Sequence, residues 1–211
     1  MKAALWFHCY TSFVHQRPVW LTPLVLAGVL AGCALPPSVN SIDDRVWTAR
    51  QAELSRLSRW QATGRIGVVN GEEGWHASFQ WGQEQASYRI DLMGPLGQGR
   101  VLIQGDSERV SIQTQDGQRR EAPDPDTLIT EALGIRLPVS GLRYWLRGVP
   151  EPGPVTGLQT DAEGRLSRLE QNGWIIDYAD YAPGAAYQLP TRIVARRQDL
   201  SVKLVIERWT L

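Results

Sequence analysis

The chain has 211 residues, with 22 Lys+Arg against 22 Asp+Glu, 9 tryptophans, 3 histidines and 2 cysteines. That length suits one domain with a substantial core, and the balanced charge gives no footprint for a nucleic-acid partner. So few cysteines, histidines and lysines leave a zinc site, a cysteine–histidine dyad and a lysine-bearing phosphate loop without their parts, so neither a metal nor a cofactor is expected.

Residues 19–30 are apolar apart from Thr22, Pro23 and Gly28 and are preceded by Lys2 and Arg17, the charged-then-apolar layout of an export signal. The run has too few residues to span a bilayer as a helix. It leads into Leu30-Ala31-Gly32-Cys33, which reads as a bacterial lipobox: Cys33 would carry the lipid and become the mature N-terminus. The other reading, a buried segment ending in an inert cysteine, fits neither the position nor the flanks. The expected organisation is a signal peptide over 1–32, a lipidated tether over 33–42 with Pro36-Pro37, and a single domain over 43–211. Lys2 and Arg17 leave with the signal, which holds no acid, so twenty basic residues face twenty-two acidic ones and the net charge becomes −2. His76 is then the only histidine and Lys203 the only lysine, while 7 tryptophans remain. Cys9 leaves and Cys33 is modified, so no disulfide is available, and stability must come from packing.

Asp43 and Asp44 precede Val46, Trp47, Leu54 and Leu57, which predicts an amphipathic helix capped by an aspartate and ending near Trp60. The period then changes to two. A strand over 61–69 is followed by the clearest one, in which Trp75, Ala77, Phe79 and Trp81 alternate with His76, Ser78 and Gln80, and then by Tyr88, Ile90 and Leu92 alternating with Arg89 and Asp91. Weaker strands are expected over 100–105 and 109–114, with Asp116-Gly117 as a hairpin signal. Asp124 can cap a helix with Pro125 first inside it and Gly134 past its end. Ser140 can cap a second, with Leu142, Trp145 and Leu146 inward and Gly148 and Pro150 as the stop. Strands resume over 155–160, 165–171, 174–181, 191–197 and 200–210, with Asn172-Gly173 as the best turn signal. The fold class is mainly β with α: a half-open antiparallel β-barrel of about ten or eleven strands capped by about three helices. A sheet of that size encloses either a ligand cavity or a plug. Pattern alone leaves a greasy cavity and a solid core of tryptophans equally open.

Gly94-Pro95-Leu96-Gly97 joins two strands, and proline second with glycine fourth fits a type I turn with Leu96 at its tip. Such a leucine either folds back onto the core or enters something apolar. His76 lies on the polar face of its strand and reads as solvated. Asp177 with Asp180, or Asp91 with Glu84, are the carboxylate pairs available for glycosidase-type work, but parity puts Asp177 and Asp180 on opposite faces. An enzyme is not expected.

The lipobox, Gly64-Arg65-Ile66, Gly74-Trp75 with Phe79 and Trp81, Gly94-Pro95-Leu96-Gly97, Leu137-Pro138 with Leu142 and Tyr144-Trp145, Gly148 with Pro150, Gly173-Trp174, Leu189-Pro190 and Trp209 together resemble the outer-membrane lipoprotein receptor family LolB. The resemblance runs from the lipobox to the C-terminus and is carried by order and spacing. It implies a half-open barrel whose apolar cavity receives acylated lipoprotein cargo from the periplasmic carrier LolA and delivers it into outer-membrane lipids without ATP. Leu96 matches the family's exposed apolar loop residue, so Gly94, Pro95, Leu96 and Gly97 form the expected membrane-insertion loop. Trp75, Phe79, Trp81, Tyr88, Ile90, Leu92, Leu142 and Trp145 are the cavity-lining candidates. Ala34, where an aspartate would favour inner-membrane retention in similar lipoproteins, is compatible with the outer membrane facing the periplasm. A monomer is expected.

Overall fold

A computed structural model describes residues 44–211 apart from 98, 185 and 186. The expected signal peptide, the lipidation site Cys33, the 33–42 tether and the Asp43 cap lie outside the described residues. Residues 40–211 form a compact unit of their own, and the buried apolar clusters, from Trp47 to Ile206, lie within it, so this part carries its own core.

The chain opens with α1 (Asp44–Ser55), then β1 (Arg59–Asn70), β2 (Glu73–Glu84), β3 (Ser87–Met93), β4 (Val101–Gly105), β5 (Val110–Thr114) and β6 (Arg119–Ala122). Two helices follow, α2 (Pro125–Leu133) and α3 (Val139–Trp145). The chain closes with β7 (Gly157–Thr160), β8 (Leu166–Gln171), β9 (Trp174–Tyr181), β10 (Pro190–Arg197) and β11 (Leu200–Thr210). All pair antiparallel in one sheet of order β6-β5-β4-β3-β2-β1-β11-β10-β9-β8-β7. The last strand therefore pairs with the first, Ile66 opposite Leu204, while β6 and β7 remain the two edges. This is the expected open antiparallel architecture, with eleven strands.

Period-two alternation decides the faces. Trp60, Ala62, Ile66 and Val68 of β1 and Ala77, Phe79 and Trp81 of β2 are buried, with Gln61, Arg65, Ser78 and Gln80 exposed between them. The inner face carries a tryptophan cluster: Trp60 lies 5.8 Å from Trp81 and 5.4 Å from Trp209 between ring centroids. At Gly64 a register shift brings β11 so close that an added Cβ would fall 2.0 Å from the Val205 carbonyl oxygen, so only glycine fits there. Asn172 and Gly173, at φ 52° and 75°, make the tight β8–β9 turn that this pair favours.

Three elements depart from the sequence reading. Helix α1 stops at Ser55, and Trp60, expected at its end, is the first inward residue of β1. Val46 of α1 is 45 % exposed, so the helix buries only Trp47 and Leu54 deeply. Strand β6 was not expected, because all four of its residues are polar or small and none is buried. Helix α3 begins at Val139 after Pro138, with no side-chain cap, so Ser140 lies inside it. Its free N-terminal donor is satisfied from the preceding helix: the Ser140 N–H donates to Asp126 Oδ1 at 3.0 Å. Helix α2 is capped as expected, Asp124 accepting the Thr127 N–H at 2.8 Å, with Pro125 first and Gly134 in the left-handed region at φ 69°.

Candidate functional site

The loop between β3 and β4 contains a single 3-10 turn, Pro95–Gly97, in which the Gly97 N–H donates to the Gly94 carbonyl at 3.2 Å. Leu96 takes φ 58° and ψ 20°. A positive φ at the third position belongs to a type II turn, so the expected type I geometry is corrected. Leucine in this region meets its own carbonyl and costs ~1–2 kcal/mol. The side chain gains nothing in return from the fold, since it is 96 % exposed. Of the two fates open to Leu96, the structure shows the outward one. Pro95 and Gly97 are exposed with it and Gly94 is half-buried.

The cavity-lining candidates all come to the inner face. Phe79, Trp81, Tyr88, Ile90, Leu92, Leu142 and Trp145 are buried and pack together in one apolar cluster. Helix α3 packs into the same cluster, with Val139, Leu142, Trp145 and Leu146 buried along it. Trp75 differs: it is half-buried and lines a cavity of about 390 Å³ between the β1–β2 hairpin and Gly134, Ile135 and Arg136 beyond α2. A second cavity, of about 520 Å³, lies on the other side of Arg136, against α2, Leu137, Trp174 and Leu200. The two cavities flank the segment joining α2 to α3, at the end of the sheet where β1, β5, β8 and β10 finish. This is the mouth of the half-barrel.

Charge at the mouth is mixed. Asp126, Glu131, Arg136 and Arg197 all line the larger of these two cavities. Burial raises the Asp126 carboxyl above its ordinary value, against the opposing bond from Ser140. Deeper in, burial pushes the Tyr88 hydroxyl up to about 12, with the Arg143 guanidinium, 5.9 Å from the ring, acting the other way.

Three polar residues that the sequence reading did not single out hold α3 in place. Arg147 donates from Nη1 to the Leu54 and Leu57 carbonyls, both at 3.0 Å, closing the end of α1. Its burial lowers the guanidinium pKa. Gln171, fully buried, receives the Trp145 Nε1–H at 3.4 Å and clamps Glu151 by its N–H and carbonyl. The third is Asp126. An isolated arginine or glutamine in an apolar pattern gives no periodic signal, so only the fold reveals these contacts.

The carboxylates considered for acid–base work are committed elsewhere. Asp91 accepts both Arg100 Nε, at 2.9 Å, and Arg100 Nη2. Glu84 accepts Arg59, Asp177 pairs with Arg168 and Arg196, and Asp180 with Arg192. A bulge between Arg192 and Ile193 puts Asp180 opposite Arg192, which corrects the simple parity argument.

The family described as "Outer membrane lipoprotein LolB" matches residues 58–209. The chain belongs to the LolB family. Similar relatives are the outer-membrane lipoprotein LolB of Pseudomonas aeruginosa, 40 % identical over 185 residues that cover 86 % of this chain and 90 % of that one, and its namesake in Stutzerimonas stutzeri, 37 % identical over 188 residues covering 87 % and 91 %. Among solved structures, a LolA superfamily protein from Nitrosomonas europaea shares the fold, with a TM-score of 0.50 and 8 % identity over 82 % of this chain and 94 % of that one. As a member of this family, the chain is an outer-membrane lipoprotein receptor, built on the open antiparallel sheet that the resemblance implied.

Proposed function

We propose that this receptor accepts acylated lipoproteins from the periplasmic carrier LolA through the mouth beside Trp75 and Arg136, holds their acyl chains against the inner face, and releases them into the outer membrane through Leu96. The observation that carries this reading is Leu96 itself, a fully solvated leucine held in a strained backbone. The anchor is Cys33 at the head of a 33–42 tether after removal of residues 1–32, and the working unit is a monomer.

The interior is filled, so acyl chains enter by displacing what fills it. The α2–α3 segment, flanked on both sides by cavities, is where displacement starts, and α3 moves away from the strands. Energetics allow transfer without ATP. Each buried methylene contributes ~0.8 kcal/mol, so several acyl chains gain tens of kcal/mol in a bilayer. Non-covalent binding to a protein saturates near roughly −20 kcal/mol, so the last step runs downhill. The protein is no catalyst of bond chemistry. Its task is to shield the chains from water.

Replacing Leu96 separates the steps. Leu96→Glu leaves acceptance of cargo in solution intact, because the side chain touches no core residue, and stops incorporation into vesicles. Unchanged incorporation removes Leu96 from the mechanism. The filled core also favours a second reading, an assembly lipoprotein with a solid interior. An apolar fluorescent probe decides: saturable binding to residues 34–211 supports the receptor, and no binding supports the solid core.

A further inference from the structure

The outer face of the sheet carries a groove that shares no lining residue with the two cavities of the mouth. Lys203 of β11 and His76 of β2 both sit directly opposite Gly67 of β1, so two basic side chains flank a position that has none. Their strands lie roughly 10 Å apart across that glycine. Arg65, two residues back on the same face, adds a guanidinium. The wall on one side is the Leu96 loop, with Met93 at its foot, and the space enclosed is about 690 Å³. Among the described residues no carboxylate lines it, Glu207 reaching only its rim through Arg65. Lys203 and His76 are exposed and make no hydrogen bond or ion pair among the described residues. Arg65 gives only its Nε–H to Glu207, at 2.8 Å, leaving the rest of its fork of donors open. The only lysine after residue 2 is thus placed, with no partner among the described residues, beside the solvated leucine of the loop.

We propose that this groove seats the phosphate of a phospholipid headgroup, between Lys203 and His76 over Gly67 with Arg65 beside it, when Leu96 enters the acyl layer. The inference rests on the reading of Leu96 as the residue that meets the bilayer and adds a recognition element to it. Charge complementarity names the occupant: a cationic groove free of carboxylates, next to an apolar tip, matches the phosphate and the chains of one lipid. The glycine floor keeps room for the phosphate, and an added Cβ at Gly67 would come no nearer than 4.0 Å to its neighbours, so the floor can be filled without disturbing the fold.

The test uses residues 34–211 with vesicles of phosphatidylcholine and phosphatidylglycerol, whose headgroups carry no acylatable amine, and with vesicles of a phosphate-free galactosyl diacylglycerol. Binding is read by co-sedimentation, and Lys203 by its reactivity toward an amine-specific acylating reagent. The wild type prefers the phospholipid surface, and phospholipid vesicles protect Lys203 from acylation. Lys203→Gln loses about fivefold in binding to that surface, Lys203→Glu loses more, and Gly67→Val, which keeps every charge, loses the preference too. Equal binding to both surfaces, unprotected Lys203, or variants that bind as the wild type does overturn the proposal. So does protection of Lys203 in vesicle-free solution with formation of dimers, which would make a second copy of this chain the occupant. Acceptance of cargo in solution, without vesicles, tests the receptor reading separately. A chain that accepts cargo but shows no phospholipid preference rejects the groove alone.

Discussion

Leu96 concentrates the conflict between folding and function in one side chain. Its left-handed backbone and its exposure both oppose stability, a cost for which the proposed contact with the membrane would account. Leu96→Gly accordingly stabilises the domain by ~1 kcal/mol, as glycine adopts this backbone without penalty, and abolishes incorporation into vesicles. Urea denaturation checks the first effect and a vesicle incorporation assay the second. The loop, its tip and its composition were legible in the sequence, but not its turn type. A leucine at positive φ violates local preference, so the composition of the loop pointed to the other turn type. Arg147 and Gln171 were illegible for the opposite reason, since each is one polar residue serving backbone groups distant in sequence.

At the scale of elements, α2 and α3 work as a pair. Asp126 of α2 supplies the cap that α3 lacks, so the second helix start could not be read from its own residues, and Ser140 was a natural but wrong choice. Asp126 gives this joint a pH dependence. Its folded pKa is raised by burial, so its contribution to stability is fully present below the unfolded value of ~3.9 and is lost as pH rises through the raised folded value. The stability difference between the wild type and Asp126→Asn therefore shifts in favour of the wild type on acidification from neutrality toward ~pH 4, measured by urea midpoints. A constant difference contradicts the burial argument. Strands with one apolar face, such as β2 and β3, are legible from their alternation, β3 to within one residue at each end and β2 to within three. Strand β6 was missed because as a polar edge it has no buried face to impose a period. Trp60 was misassigned because its spacing from Leu57 suits a helix as well as its own parity suits a strand.

Over the whole molecule, the inner positions were legible while the question of cavity or solid core was not. The same alternation lines an open half-barrel and fills a closed one, and what decides between them is how firmly α3 is held. Leu142, fully buried on α3, tests the balance. Leu142→Ala costs ~2–5 kcal/mol of stability and raises affinity for an apolar probe, because the inner face then opens more readily. Lower stability with unchanged probe binding would mean that α3 does not gate the interior. The most direct measurement follows the cargo. The chain from residue 34 onward is mixed with LolA carrying an acylated lipoprotein, and a pull-down shows which protein holds the lipoprotein afterwards. Movement of the cargo onto this chain, without ATP, is the result this account predicts. Cargo that stays on a carrier able to deliver to another receptor contradicts it.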